Sequence, residues 1–137
     1  MNLNHFIGKS QLSSIREACK GEEGEYFKTM MTELKKTISN MPKTYETEGM
    51  GDAAPVTLHY FLGGSDWYII ERDLDGEQLQ AFGFACLNGD KQNAEFGYIC
   101  IQELIRLNVE LDLYYKPQTV KDIKTKYDKF TTEEDAA

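Results

Sequence analysis

The stretch WYIIERDLDGEQLQAFGFACL, from Trp67 to Leu87, decides the fold of this 137-residue chain. Two apolar, aromatic-rich runs lie on either side of the dipeptide Asp75-Gly76. Aromatic and β-branched residues favour strands, and Asp-Gly favours the positive φ angles of a tight hairpin turn. The stretch therefore predicts a β-hairpin at the centre of a sheet.

Further strands are predicted on both sides of this hairpin. Val56 to Leu62 precedes it and ends at the turn Gly63-Gly64, and Ala94 to Ile101 follows the turn Asn88-Gly89. Glu110 to Tyr115 alternates between apolar and polar side chains, the pattern of a strand with one buried and one solvated face. Turn signals between successive strands predict an antiparallel meander of about five strands.

Helical periodicity precedes the sheet. Its clearest part is an apolar stripe with i, i+3, i+4, i+7 spacing: Phe27, Met30, Met31, Leu34, Ile38 and Met41. An earlier helix starts at Ser14, where Glu17 completes a capping box, or at Ser10. A glycine-rich breaker separates the two helices, and Pro42 ends the second. The stripe needs an apolar surface to cover it, which one face of the sheet supplies.

The chain is predicted to form one α+β domain with an N-terminal amphipathic helix and short C-terminal helices. One of these short helices is expected from Gln102 to Leu107, and the spacing of Val120, Ile123 and Tyr127 predicts the last one. The predicted parts are a loose arm (1–9), a helical region (10–42), the sheet (55–115), a helix (118–130) and an acidic tail (131–137) that frays.

The charge of the chain favours some partners over others. The formal net charge is −8, with 23 acidic against 15 basic residues. Nucleic-acid backbones require clustered Lys and Arg, so direct contact with nucleic acid is not expected. Many acidic chains are simply well solvated, but this charge also favours a protein partner that is basic, such as a nucleic-acid-handling protein.

Cysteine usage and hydropathy indicate a cytoplasmic protein. Cys19, Cys86 and Cys100 match no metal or redox spacing, and their odd number indicates reduced thiols. No apolar run approaches the roughly 20 residues that span a bilayer. The start of the chain has no signal-peptide pattern, and no membrane contact is predicted.

Few residues in the sequence are candidates for catalysis. His5 lies in the predicted arm, and His59 alternates with Thr57 and Phe61 in a strand, where a hydrogen-bonded structural histidine is the more frequent case. No nucleophile elbow, zinc-binding histidine pair or phosphate-binding glycine loop is present. The sequence therefore argues against an enzyme and predicts no cofactor.

The candidate interaction surface is the carboxylate-rich end of the central hairpin together with the only tryptophan, Trp67. At period two, Glu71 and Asp73 project from one face of a strand, and Asp75 and Glu77 flank the predicted turn. Two interpretations stay open. The carboxylates either form a solvated hairpin tip that discourages edge-to-edge pairing, or they provide oxygen ligands for Mg²⁺ or Ca²⁺.

Short runs in a fixed order, between Met31 and Pro117, resemble a known family. They are Met41-Pro42-x-x-Tyr45-x-Thr47-Glu48, His59-Tyr60-Phe61, Trp67-Tyr68-x-x-Glu71, Asp75-Gly76, Phe82-Gly83-Phe84, Glu95-Phe96-Gly97-Tyr98, Glu103-Leu104 and Leu113-Tyr114-Tyr115-Lys116-Pro117. The family consists of small bacterial proteins known only as a domain of unknown function. Here the helical part before Met31 is longer than usual, and Glu110 or Asp112 stands where the family typically has an acidic residue.

The resemblance implies a mobile-element setting, because the family is carried largely by plasmids, conjugative elements and phages. Its modular association with antirestriction-type proteins implies a role against host defence, but no established activity and no catalytic residues.

Three functions stay open. The first is a non-enzymatic interaction protein of a mobile element that counters a host DNA-targeting system by binding a basic partner. The second is a carboxylate-based metal-binding or enzymatic accessory protein, and the third is a structural or oligomerisation module. The acidic charge and the few catalytic candidates favour the first, and the oligomeric state stays open.

Overall fold

The computed structural model describes residues 2–129. Its helices are α1 (Lys9–Ala18), α2 (Gly24–Asn40), α3 (Ile101–Arg106) and α4 (Val120–Tyr127). Its strands are β1 (Pro55–Val56), β2 (Leu58–Leu62), β3 (Ser65–Glu71), β4 (Ala81–Cys86), β5 (Glu95–Ile99), β6 (Glu110–Leu111) and β7 (Gln118–Thr119). Short 3₁₀ turns lie at Leu3–His5 and Gly51–Ala53. Within residues 2–129, no helix has both the length and the apolar character needed to cross a bilayer.

The chain folds as an α+β domain around one five-stranded antiparallel sheet with the strand order β5-β4-β3-β2-β6. Strands β2 to β5 form a meander, and β6 returns to pair with the other side of β2. The predicted meander of about five strands is confirmed. β1 and β7 form a separate two-stranded pair in which Pro55 lies opposite Thr119.

Each face of the sheet has its own hydrophobic core, because successive side chains of a strand point to opposite faces. The helical core includes Tyr60 and Ile69, which pack with residues of α1, α3 and the amino-terminal segment. The α4 core includes Tyr68 and Phe84, which pack with Tyr127 and other residues of α4.

A register shift interrupts β3 between Ile69 and Glu71. Ile69 pairs with Gly83, whereas Glu71 pairs with the adjacent Phe82. As a result the consecutive residues Ile70 and Glu71 line the same cavity on the α4 side. A β-bulge re-aims side chains in this way and is frequent beside functional sites.

Gly83 allows β3 and β4 to approach closely next to this bulge. A Cβ atom at this position would lie 1.9 Å from the Tyr68 carbonyl oxygen and 3.1 Å from the Ile69 Cα. Because both neighbours are backbone atoms, no side-chain rotation relieves the contact. The packing of these strands therefore requires glycine at this position.

The amino-terminal segment is packed, so the prediction of a loose arm over residues 1–9 is wrong where the structure describes it. Leu3, Phe6 and Ile7 are buried in the helical core. The Tyr60 hydroxyl donates a 2.6 Å hydrogen bond to the Phe6 carbonyl oxygen. Their i, i+3, i+4 spacing is that of a single helical turn, and a run this short does not identify a helix in the sequence.

The helical region forms two helices, α1 and α2, whose burial differs from the prediction. α1 begins directly after Gly8, close to the Ser10 alternative, so Ser14 lies inside the helix and caps nothing. In α2, Ile38 is fully buried. The remaining apolar side chains of the α2 stripe are only partly buried: Phe27, Met30, Met31 and Leu34.

The central hairpin has a longer connection than Asp75-Gly76 predicts. Residues 72–80 join β3 to β4, and the left-handed residue in this loop is Gln78, with φ 58°. Tight turns lie elsewhere. Gly63, with φ 56°, connects β2 to β3, and Asn88-Gly89 turns after β4 with φ 55° and 72°.

The carboxyl-terminal part of the described chain has a shorter strand than predicted. Of the stretch Glu110 to Tyr115, only Glu110–Leu111 pairs with β2, and the Asp112 carboxylate then accepts the Tyr114 N–H, which turns the chain. α4 begins with a capping box between Thr119 and Asp122. The predicted acidic tail, residues 131–137, lies outside the described residues.

Candidate functional site

A cavity of about 390 Å³ lies on the α4 side of the sheet, beneath the loop of residues 45–54. Four aromatic side chains contribute to its lining: Tyr45, Phe82, Phe96 and Tyr98. We call this cavity the aromatic cleft. A concave, mostly apolar space with a few polar groups is the usual form of a binding site.

Adjacent strands of the sheet supply five of the lining residues, including three of the four aromatic side chains. Phe82 on β4 pairs directly with Tyr98 on β5, and their rings meet edge to face with centroids 6.0 Å apart. Phe96 makes a similar contact with Phe84 at 4.8 Å. The bulge in β3 adds Glu71 to this wall. The sheet therefore holds three of the four aromatic rings, those of Phe82, Phe96 and Tyr98, in a fixed arrangement.

Glu71 fastens the loop onto the sheet. Its carboxylate accepts hydrogen bonds from the Tyr45 N–H at 2.9 Å, the Thr47 N–H at 3.0 Å and the Thr47 hydroxyl at 2.5 Å. The residue is only 7% exposed. Because these donors come from residues more than twenty positions earlier in the chain, Glu71 fixes the position of the loop of residues 45–54 over the cleft.

The buried charge of Glu71 has no cationic partner among residues 2–129, whose ion pairs do not include it. The neighbouring Arg72 donates its Nε–H to the Ile38 carbonyl oxygen instead, at 3.1 Å. Hydrogen bonds compensate part of the cost of burying a carboxylate, and an opposite charge would compensate more. This end of the cleft is therefore suited to a cationic group.

Tyr45 lies at the mouth of the cleft in an uncommon backbone conformation. Its φ of 69° is in the left-handed region, which bulky residues seldom adopt, yet its side chain is 67% exposed. Tyr98 lies beside it, and its pKa is raised chiefly by a hydrogen bond with the Tyr45 side chain. Costly backbone conformations cluster at ligand clamps and active sites.

The charged residues that line the cleft are mostly acidic. They comprise three carboxylates, those of Glu48, Asp52 and Glu71, and one ammonium group, that of Lys124. Lys124 pairs with Asp52 at 2.7 Å. The lining therefore carries more negative than positive charge.

The residues of the predicted interaction surface do not form one surface. Glu71 lines the aromatic cleft, whereas Trp67 packs partly buried against the helical core on the opposite face of the sheet. Strict alternation would place residues four positions apart on the same face. The bulge between Ile69 and Glu71 reverses the face and separates the two side chains.

The other carboxylates of that predicted surface lie in the loop of residues 72–80. Asp73 is buried and accepts the N–H of Asp75 at 3.2 Å and that of Gln80 at 2.9 Å, so its role is to close the loop. Asp75 and Glu77 are exposed. Within residues 2–129, no group of three or more His, Cys, Asp or Glu side chains is placed to hold a metal ion.

His59 forms a second polar cluster on the α4 side of the sheet. Its Nε2 lies 2.7 Å from an Asp66 carboxylate oxygen and its Nδ1 3.1 Å from one of Asp112. The ring also stacks on Tyr68, with centroids 4.7 Å apart. Both ring nitrogens are engaged, so His59 is the hydrogen-bonded structural histidine that its strand position predicts.

Sequence patterning identified Glu71 but missed the rest of the cleft. The aromatic runs predict strands without indicating which of their side chains line a cavity, and Tyr45 falls in a segment without periodicity. The available signal was the set of short runs behind the family resemblance. Those runs supply much of the lining of the cleft: Tyr45, Thr47, Glu48, Glu71, Phe82, Phe96 and Tyr98.

Compared with models of known protein families, with curated proteins and with solved structures, the chain matches none of them.

Proposed function

We propose that this protein is a non-enzymatic interaction protein that binds a basic segment of a partner protein at the aromatic cleft. The observation that carries the proposal is Glu71, a buried carboxylate without a cationic partner among residues 2–129, in the wall of a cavity lined by four aromatic rings. A lysine or arginine side chain supplies the charge that this carboxylate lacks.

The physical case for a cationic ligand has two parts. A cation over a tyrosine or phenylalanine ring gains about 0.5–1 kcal/mol when exposed and about 2 kcal/mol when desolvated. A carboxylate offers about four acceptor sites, and the Tyr45 and Thr47 donors occupy three of those on Glu71. One acceptor site therefore stays open to a ligand, whose aliphatic stem would contact the rings.

The chemistry of the cleft favours binding over catalysis. Its lining includes neither histidine nor cysteine, and Glu71 is engaged in holding the loop. The carboxylates at Asp73, Asp75 and Glu77 do not favour a metal-dependent alternative, because Asp73 is committed to backbone donors.

The partner class that fits the charge is a basic, DNA-handling protein, and the family resemblance implies that this partner belongs to a host defence system. A net charge of −8 attracts a basic DNA-binding channel, and such attraction weakens as salt screens it. The resemblance to a family of mobile-element proteins supports the same partner class. In this proposal the protein acts in the cytoplasm and occupies the surface that the partner uses for DNA.

Calorimetric titration with hexalysine and hexaarginine tests the binding of a cation at the cleft. We expect binding that weakens with salt, and we expect Tyr98→Leu to reduce the affinity about tenfold, the equivalent of one cation–π contact. Tyr114→Leu is the matched control, since its side chain is similarly exposed, 68% against 63%, and it is not part of the cleft.

The controls separate a specific site from general charge attraction. If the two tyrosine variants weaken binding equally, the peptides recognise only the overall charge of the protein, and the proposal fails. Equal binding of hexaglutamate would contradict it as well. Capture from bacterial lysate with the unmodified protein and the Tyr98→Leu variant then identifies partners that depend on the cleft.

A further inference from the structure

Strand β5 forms an open edge of the main sheet. It pairs with β4 through five consecutive residue pairs, and no strand among residues 2–129 pairs with its other side. An edge strand presents a row of backbone N–H and C=O groups that can pair with another chain. The opposite edge of the sheet is β6, which is only two residues long.

The β5 edge lacks most of the features that normally block such pairing. Residues Glu95 to Ile99 include no proline and no lysine, and their register with β4 is uninterrupted. At Gly97 nothing lies within 4 Å of an added Cβ, so no other element covers the face of the strand at this position. The one charged side chain of this strand is the exposed Glu95.

The open edge adjoins the aromatic cleft. Phe96 and Tyr98 belong to β5 and line the cleft. A strand added to this edge would lie about 4.8 Å from β5 and would direct every second side chain to the cleft side. Those side chains would lie about 5 Å from Phe96 and Tyr98, within reach of cross-strand contact.

We infer that an extended basic segment of the partner protein adds to the sheet as a sixth strand along β5, with alternate lysine or arginine side chains against Phe96 and Tyr98. This inference rests on the proposed function. The occupant is basic because Glu95 is the one charged side chain of β5 and the cleft lining carries three carboxylates against one ammonium group. A second copy of this chain is disfavoured, because it also carries a net charge of −8.

The test uses a fluorescein-labelled octapeptide of alternating lysine and valine and two N-methylated forms, one methylated on every lysine amide and one on every valine amide. In a strand, the amides of alternate residues point to opposite edges. One methylated form therefore loses every N–H bond to β5 and places methyl groups against that edge, while the other form keeps these bonds. We expect affinities of the two forms that differ about tenfold or more in fluorescence polarisation.

The outcomes separate this inference from the proposed function. If both methylated forms bind like the parent peptide, the segment does not add as a strand and the inference is overturned, while cation binding at the cleft stands. If the parent peptide does not bind at all, both fail. Light scattering on the protein alone provides an independent check. A dimer whose β5 amides are protected from hydrogen exchange would assign the edge to a second copy and also overturn the inference.

Discussion

The substitution Glu71→Gln tests whether the buried carboxylate holds the loop of residues 45–54 in place over the aromatic cleft. The glutamine has nearly the same shape, but it has one acceptor oxygen and an N–H₂ group in place of the second oxygen. The oxygen can still accept the N–H and hydroxyl of Thr47, which both bond to the same carboxylate oxygen. The Tyr45 N–H, which bonds to the other oxygen, would then face a second donor.

The expected loss in the free energy of unfolding is about 2 kcal/mol. Hydrogen bonds to charged groups contribute about 1 kcal/mol more than neutral ones, so the two remaining bonds weaken by about 2 kcal/mol together. An unpaired, partly buried N–H costs about 1 kcal/mol more, and the lower desolvation cost of a neutral amide offsets about 1 kcal/mol.

Urea unfolding followed by tryptophan fluorescence measures this change, with Glu77→Gln as the matched control because Glu77 is exposed. Hydrogen exchange adds a local test, since the Tyr45 amide, which loses its acceptor, should lose more protection than the Thr47 amide, and only in the Glu71→Gln variant. A loss below about 0.5 kcal/mol, the range of ordinary surface substitutions, would refute this account of the loop.

Two further predictions concern the core. Gly83→Ala should destabilise the protein by about 3 kcal/mol or more, because the new methyl group meets the Tyr68 carbonyl oxygen. Gly97→Ala is the control, because nothing lies within 4 Å of an added Cβ there. Equal melting temperatures of the two variants would contradict the described packing of β3 against β4. Tyr60→Phe should cost about 1–3 kcal/mol at neutral pH, because it leaves the Phe6 carbonyl oxygen unpaired. Burial raises the pKa of Tyr60, so above about pH 10 the unfolded chain releases a proton that the folded chain keeps, and stability falls as pH rises. In the Tyr60→Phe variant, the free energy of unfolding should fall less steeply with pH, by about 1.4 kcal/mol per pH unit. An unchanged slope would refute the claim that the buried Tyr60 hydroxyl contributes to it.

The sheet was predictable because its strands are long enough for period two to show, and its turns carry glycine at Gly63 and Gly89. The connection between β3 and β4 was not predictable from Asp75-Gly76. There the buried Gln78 side chain bonds to the backbone of Asp73 and Asp75 and stabilises a longer loop. Such side-chain-to-backbone bonds depend on tertiary burial, which local turn preferences do not include.

The site was only partly predictable for a similar reason. The sequence identifies Glu71 as a candidate because it is a carboxylate at the end of an apolar strand. The donors that it binds, however, lie in a loop without periodicity. The bulge that directs Glu71 into the cleft depends on the pairing of β3 with β4. No repeat within β3 itself reveals that shift, so the sequence predicts one interaction surface for Trp67 and Glu71, which lie on opposite faces of the sheet.

The uneven burial of α2 has a consequence for local unfolding of the protein. Its two fully enclosed residues, Gly24 and Ile38, lie near opposite ends of the helix. Gly24 fits tightly, since a Cβ there would lie 2.3 Å from the Cys19 carbonyl oxygen. Between these anchors the helix contacts the core only with partly buried side chains. The middle turns can therefore unwind at a small cost in apolar contact, while the sheet and both anchors stay in place, which makes α2 a separate unit of local unfolding.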